Sequence, residues 1–265
     1  MKHKPVSDAH ARYLKSLRRS ARHVRLSQVG ILFAVLLIWE IGADLKWFDP
    51  FILSSPSRVI ATIVRLYRDG SLWLHIGTTL LETVLGFVLG TALGALIAVL
   101  LWWLPKLNRI LDPYLVVLNA LPKIALGPVL IVWIGAGTAS IVVMGVLVSL
   151  VVTTVTVLNG FLTATDEKQL LMRTLGATKL QIFTKVVLPA GIPDLISALK
   201  ISVGMSWVGV IVGEYLVSKA GLGYLIVYGG QVFKLDLVMA SVTILCVLAA
   251  LMYYAVAFLE KQVRR

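Results

Sequence analysis

Apolar stretches of membrane-span length recur along this chain and constrain its fold more than any other feature. A helix needs about 20 mostly apolar residues to cross a bilayer. Runs of roughly that length or longer lie at 27–44, 74–104, 112–135, 138–162, 193–217 and 237–259. Composition agrees: of 265 residues, 58% are hydrophobic and only 14% charged, with mean hydropathy +0.91. A soluble domain carries about 25% charged residues, so lipid must solvate much of this surface. The expected fold is all-α and polytopic, with six transmembrane helices. Cys246 is the single cysteine and makes no internal disulfide.

The net charge of +12 could point to nucleic acid, but the basic residues flank apolar segments instead of interleaving with exposed aromatics. They report topology. Eighteen of the 25 Lys and Arg fall on one side of the six-span arrangement. That side takes the basic stretch up to Arg25, then Lys106, Arg109, Lys168, Arg173, Lys179, Lys185, Lys200, Lys261, Arg264 and Arg265. Lys46, Arg58, Arg65, Arg68, Lys219 and Lys234 fall on the other, and Lys123 within the third span. Because Lys and Arg favour the cytoplasmic side, both termini are expected in the cytoplasm.

Residues 1–26 form a basic, partly amphipathic N-terminal segment, with Tyr13, Leu17, Ala21 and Val24 on one helical face as in an interfacial helix. A basic leader before an apolar run also begins a signal peptide. This run contains Glu40 and lacks a small-x-small cleavage pattern, which favours an uncleaved first span. Residues 27–265 then make up the transmembrane domain. Between the first two spans, Ser57–Asp69 reads as a surface amphipathic helix opened by Ser55-Pro56, with Val59, Ile60, Ile63 and Leu66 on its apolar face.

The connection between spans four and five, about 164–190, is too polar to span and too regular for a loop. Leu171, Leu175, Ile182, Phe183 and Val186 keep helical periodicity on either side of Gly176. A glycine there permits a tight turn, and Pro189 is expected to stop the second helix. The expectation is a helix-turn-helix knob shaped to enter a cleft on another protein; an ordinary pair of surface helices is the alternative.

In this segment Gly176 is followed after nine residues by Val186-Val187-Leu188-Pro189. This resembles the cytoplasmic signature of ATP-binding-cassette importer permeases: Glu-Ala-Ala, three residues, Gly, nine residues, Ile-x-Leu-Pro. Leu170-Leu171-Met172 stand at the Glu-Ala-Ala positions, a departure from that pattern. Thr79–Phe87 with Gly90 and Gly94, Leu121–Pro128 leading to Trp133-Ile134-Gly135, and Gly213-Glu214-Tyr215 leading to Gly221–Leu225 are similar to the nitrate/sulfonate/taurine (bicarbonate) permease family. The resemblance runs from about Phe51 to the end. It implies a membrane-spanning permease subunit of a bacterial inner-membrane importer. This subunit would form the path for a small, anionic solute, most simply as a homodimer, above two ATPase subunits and below an external solute-binding protein. ATP would be bound by the partner ATPase, with no cofactor on this chain. The resemblance makes Arg173, Thr174, Leu175, Gly176, Ala177, Thr178, Lys179, Gln181 and Pro189 the ATPase-coupling residues, with Arg173 and Lys179 meeting acidic groups on the motor.

Candidate path or gate residues are the polar or bulky side chains at span depth. Lys123, between Pro122 and Gly127-Pro128, either lines a cavity or reaches the interface along its stem. Glu82 and Glu214 either act as structural anchors, paired with a base such as Lys219 or with each other's neighbours, or serve an external gate or the docking of the binding protein. Trp207 lies deep in span five, whereas Trp39, Trp47, Trp73, Trp102, Trp103 and Trp133 mostly sit near span ends, where aromatic belts form. Gly86, Gly90, Gly94 and Ala98 share one face and favour close helix packing. The sequence carries no phosphate loop, no metal-ligand spacing among its histidines, acids and single cysteine, and no nucleophile–base pair. The alternative function, an ion-gradient-driven secondary transporter, requires midplane carboxylates and an internal repeat.

Overall fold

A computed structural model describes residues 8–163 and 166–263. Lys2, Lys4, Arg264, Arg265 and the first two positions of the expected coupling segment lie outside them. The regular structure of the described residues is helical: α1 Asp8–Asp44, α2 Pro50–Leu53, α3 Pro56–Arg68, α4 Ser71–Trp103, α5 Pro105–Ala120, α6 Gly127–Ile134, α7 Thr138–Leu162, α8 Asp166–Thr174, α9 Lys179–Ile182, α10 Leu188–Val217, α11 Leu222–Gln231 and α12 Leu235–Val263. Five helical runs are long and apolar enough to cross a membrane, and counting one bent pair as a crossing gives six.

That bent pair corrects the third span, expected as one stretch from Asp112 to Gly135. It starts at Pro105 and turns by 89° between α5 and the segment Lys123–Ile134. The cause is local. Leu121 precedes Pro122, whose ring drives its neighbour out of helical geometry, and Leu121 duly sits at φ −62, ψ 132.

A second correction concerns Pro189, which does not stop a helix. Residues Phe183–Val187 form a π-turn in which Leu188 N–H reaches back five residues to Phe183 O. Pro189, with no N–H to give, takes the first turn of α10 directly after it. The helical run therefore continues from Lys179 to Val217. The segment between the last two spans holds α11, entered through Gly221 at φ +117.

The bundle is organised around α7, which packs along both α4 and α10. The buried face of α4 reads His75, Thr79, Glu82, Gly86, Gly90, Gly94, Ala98 and Leu101, a helical stripe in steps of three or four. Glycines allow the approach: a methyl added at Gly209 would stand 2.8 Å from Gly145 Cα, and one at Gly86 would stand 3.2 Å from that same atom. Hydroxyls add cross-helix bonds, Ser149 Oγ to Gly86 O (3.3 Å), Thr154 Oγ1 to Gly94 O (3.2 Å) and Thr153 to Ser202 (2.7 Å). Small residues with polar links are how helices adhere in lipid, where hydrophobicity alone gives no attraction between them.

α1 runs unbroken across position 26, and Tyr13, Leu17 and Val24 are exposed on it, as are Val29, Ile31, Leu32 and Phe33 further along. Ser55 caps α3 as expected, its hydroxyl accepting from Arg58 N–H, and Val59, Ile63 and Leu66 face the bundle while Ile60 does not. Glu40 accepts from Ser57 N–H (2.9 Å), and Arg58 pairs with Asp236 (2.9 Å), so α3 is tied to both α1 and α12.

Candidate functional site

At one end of the bundle, α8 closes on a glycine. Ala177 N–H bonds Met172 O (2.9 Å) and Gly176 N–H bonds Arg173 O (3.0 Å), the paired bonds of a Schellman ending. Gly176 sits at φ +79, a conformation that costs a residue with a side chain roughly 1–2 kcal/mol. Thr178 then opens α9 with a capping box: its hydroxyl accepts from Gln181 N–H, and the Gln181 carboxamide accepts from Thr178 N–H (2.8 Å). Arg173 through Gln181 thus come together in one turn, while Pro189 lies beyond it in α10.

The tip of this knob faces outward. Leu171, Leu175 and Leu180 are each more than half exposed beside exposed Arg173 and Thr174, and a Cβ at Gly176 would meet open space. An apolar tip with Arg173 at its edge has the composition of a protein contact. Its base is fixed. Met172, Ala177, Ile182 and Phe183 pack with Leu101, Trp102, Val157, Leu158 and Phe161, and the Phe183 ring lies 5.0 Å from Trp102 and 5.6 Å from Phe161. Lys179 belongs to the base: its ammonium lies over the Trp102 and Trp103 rings, 5.6 and 5.3 Å from their centroids. The two tryptophans expected as interface anchors carry the knob instead. Their adjacency at the end of span two was the sequence signal for this.

At the far end, three successive backbone N–H groups entering α11 are received by side chains. Gly221 donates to His75 Nδ1 (3.0 Å), Leu222 to Thr79 Oγ1 (2.7 Å) and Gly223 to Glu214 Oε2 (2.6 Å). Glu82 and Glu214 are each 1% exposed and face one another. Thr138 lies beside Glu82, and Thr79 and the Tyr224 backbone lie beside Glu214. No base forms an ion pair with either carboxyl among the described residues; of the two anchoring alternatives, Lys219 is not used, and Glu214 is instead tied to the backbone of Gly223. His75 and Thr79 were not named as candidate site residues from the sequence, although their spacing from Glu82 puts all three on one face of α4.

The other two path candidates stand apart. Lys123 lies at the α5–α6 bend, where its ammonium donates to Asn119 O (3.1 Å) at the end of α5. Trp207 is buried against Val203 and Val256, its indole N–H without an acceptor. Lys200, counted among cytoplasmic-side charges, pairs with Glu260 of α12 at 2.5 Å.

Residues 90–265 match the family described as binding-protein-dependent transport system inner membrane component. The chain belongs to that family. This permease is 34% identical to a probable ABC transporter permease protein of Haemophilus influenzae over 87% of its own length and 92% of that protein. It is 31% identical to the formylaminopyrimidine transport permease protein ThiX of Halalkalibacterium halodurans, over 85% and 90% of the two chains. With the taurine transport system permease protein TauC of Escherichia coli it shares 24% identity over 96% and 94%. Its fold is that of a chain in the MetNI methionine ABC transporter, solved facing inward: TM-score 0.64 and 22% identity, over 77% of this permease and 99% of that chain. It is therefore a multi-pass membrane permease subunit of an ABC importer, and the family is a transport component, not an enzyme.

Proposed function

We propose that this permease couples to a pair of ATPase subunits through the knob Arg173–Gln181, that two copies of it form the pore, and that it carries a small solute with an anionic group across a bacterial inner membrane. The observation that carries this reading is the two-part construction of the knob, with an exposed leucine-and-arginine tip on a base packed into α4, α7 and α10. A rigid plug of this kind transmits force. Motion of the motor would move the knob as a body, and the run from Lys179 to Val217 would carry that motion to the carboxyl pair at the far end, exposing the path alternately to each side. The excess of Lys and Arg at the knob end supports a cytoplasmic knob and cytoplasmic termini, with the solute-binding protein docking opposite. The transmembrane domain of this account is 27–265 with the basic segment 1–26 ahead of it. Pro189 takes part by position, joining knob to span. Relatives named for taurine and formylaminopyrimidine favour a small organic solute, and membership of an ATP-driven importer family weighs against an ion-gradient transporter.

The test is Gly176→Val. A Cβ at this residue would meet nothing in the bundle, so insertion should be normal. A β-branched side chain at φ +79 strains the turn and adds bulk at the tip. ATPase recovered by pull-down should fall at least several-fold, and ATP turnover in proteoliposomes should no longer respond to the binding protein. Normal motor binding and normal coupling in that variant would remove the basis for the knob as the docking element.

A further inference from the structure

The first N–H groups of a helix have no partner within it, and a Ser, Thr, Asp or Asn oxygen close by in the chain ordinarily receives one. At the entry of α11, three in succession are received by side chains of other helices. Gly221 N–H goes to His75 Nδ1 (3.0 Å), Leu222 N–H to Thr79 Oγ1 (2.7 Å) and Gly223 N–H to Glu214 Oε2 (2.6 Å). The approach is close: Gly221 sits at φ +117, and a methyl on it would stand 2.5 Å from the Glu214 carboxyl. Leu222 and Thr79 are fully buried and His75 nearly so. α11 packs chiefly along α12, whereas His75 and Thr79 belong to α4, so two of the three bonds tie one helix pair to another.

The three acceptors respond differently to acid. A threonine hydroxyl does not titrate, and a protonated carboxyl keeps its carbonyl oxygen as an acceptor. An imidazole that accepts at Nδ1 carries its proton on Nε2; a second proton takes the Nδ1 lone pair and leaves no acceptor. Histidine is also the side chain whose ordinary titration falls between about pH 5 and 8. A positive ring there would face the N-terminus of α11, the positive end of the helix dipole. Tyr224 of α11 stacks on the ring (6.1 Å between centroids, 14° between planes), and Tyr228 stacks on Tyr224. Glu214 of α10 lies beside Gly221, and Glu82 stands two turns along α4, facing Glu214. Lys219 ahead of α11, and Arg65, Arg68 and Asp69 at the end of α3, are exposed; Asp236 of α12 is held by Arg58. The Glu214 carboxyl would attract an imidazolium, and turning towards it would release Gly223 as well.

We propose that His75 is a positioning residue for α11: as the neutral imidazole it latches α11 to α4 and keeps the far end of the bundle closed, and its protonation releases the entry of α11. Closure of the far end is thereby sensitive to acid in the compartment that this end faces. The effect of release on transport rests on the permease reading above; the latch itself is a property of this chain.

The experiment uses the assembled permease–ATPase complex in lipid nanodiscs. Backbone hydrogen exchange is read by mass spectrometry at pH 7.5 and pH 5.5, each corrected for the intrinsic exchange rate. In the wild type, protection of residues 221–225 should fall about fivefold or more at the lower pH, while that of α7 holds. His75→Asn puts a carboxamide oxygen near the place of Nδ1 and does not titrate, so the segment should stay protected at both pH values. His75→Phe keeps a ring without an acceptor and should leave the segment unprotected at both. In proteoliposomes holding ATP inside, the same shift of external pH should change binding-protein-stimulated turnover severalfold in the wild type and leave it nearly flat in His75→Asn. Four results would overturn the proposal: equal wild-type protection at both pH values, the same acid loss in His75→Asn, full protection in His75→Phe, or identical turnover profiles in wild type and His75→Asn. The wild-type comparison needs no variant and decides the matter if the substitutions disturb assembly. Recovery of the ATPase is measured in the same preparation. A complex that holds its motor but shows no acid-dependent exchange fails this inference alone.

Discussion

Lys179 Nζ donates a 2.6 Å hydrogen bond to the carbonyl oxygen of Trp103, the last residue of α4. A helix end leaves its final carbonyls without partners, and here a lysine from the knob supplies one while lying over the indoles of Trp102 and Trp103.

Removing this join should separate docking from transmission. Lys179→Met keeps the apolar stem and loses the charge, the hydrogen bond and the cation–π contacts, together about 1–3 kcal/mol. ATPase recovery by pull-down should stay within about twofold of wild type, because the tip residues are untouched, while binding-protein-stimulated ATP turnover falls severalfold. Equal losses in both readouts would make Lys179 a motor contact.

The turn itself can be probed by conformation alone. Asparagine tolerates the left-handed region better than other residues with a side chain, and a Cβ at Gly176 meets nothing. Gly176→Asn should therefore keep most motor binding where Gly176→Val loses it. If the two variants bind the motor equally poorly, bulk at the tip dominates, and the strain at φ +79 is not what matters.

Close helix packing makes a third expectation. A side chain at Gly209 would enter the Gly145 backbone, and backbone cannot yield as a flexible side chain does, so Gly209→Ala should cost about 1–3 kcal/mol and Gly209→Leu should prevent assembly. Gly204, on the same helix, faces open space, and Gly204→Ala should be tolerated. Thermal inactivation of the purified complex gives the comparison, and equal stability of Gly209→Ala and Gly204→Ala would contradict the packing.

Sidedness is checked by labelling. In a Cys246→Ser background, cysteines at Thr174 and Lys219 should react with a membrane-impermeant maleimide from opposite faces, Thr174 from the cytoplasm. Reaction of both from one face would defeat the six-crossing arrangement.

The helices were legible because apolar run length is a one-dimensional property, and lipid makes it decisive. Ser55-Pro56 and Gly176 were legible because caps and turns depend on a few adjacent residues. The carboxyl pair was not, since Glu82 and Glu214 meet only once α7 has set the register between α4 and α10 through glycine contacts. The 89° bend had its signal in Leu121-Pro122, but the apolar character continues through it and reads as one span. α11 is ten residues long, too short for a crossing and too apolar to read as surface. Pro189 misled for a definite reason: a proline after a regular helix breaks it, whereas a π-turn just ahead rearranges the hydrogen bonds it would otherwise interrupt.

That π-turn fixes an angular phase. Between the knob and the far-end carboxyl there is a single helical shaft, and each residue of an α-helix turns it by about 100°. Deleting one residue within Phe183–Val187 would leave both ends chemically intact but aim the knob's leucines in a different direction relative to Glu214. The five residues of this turn thus act as a timing mark, setting which way the plug points when the far face of the shaft meets α4 and α11.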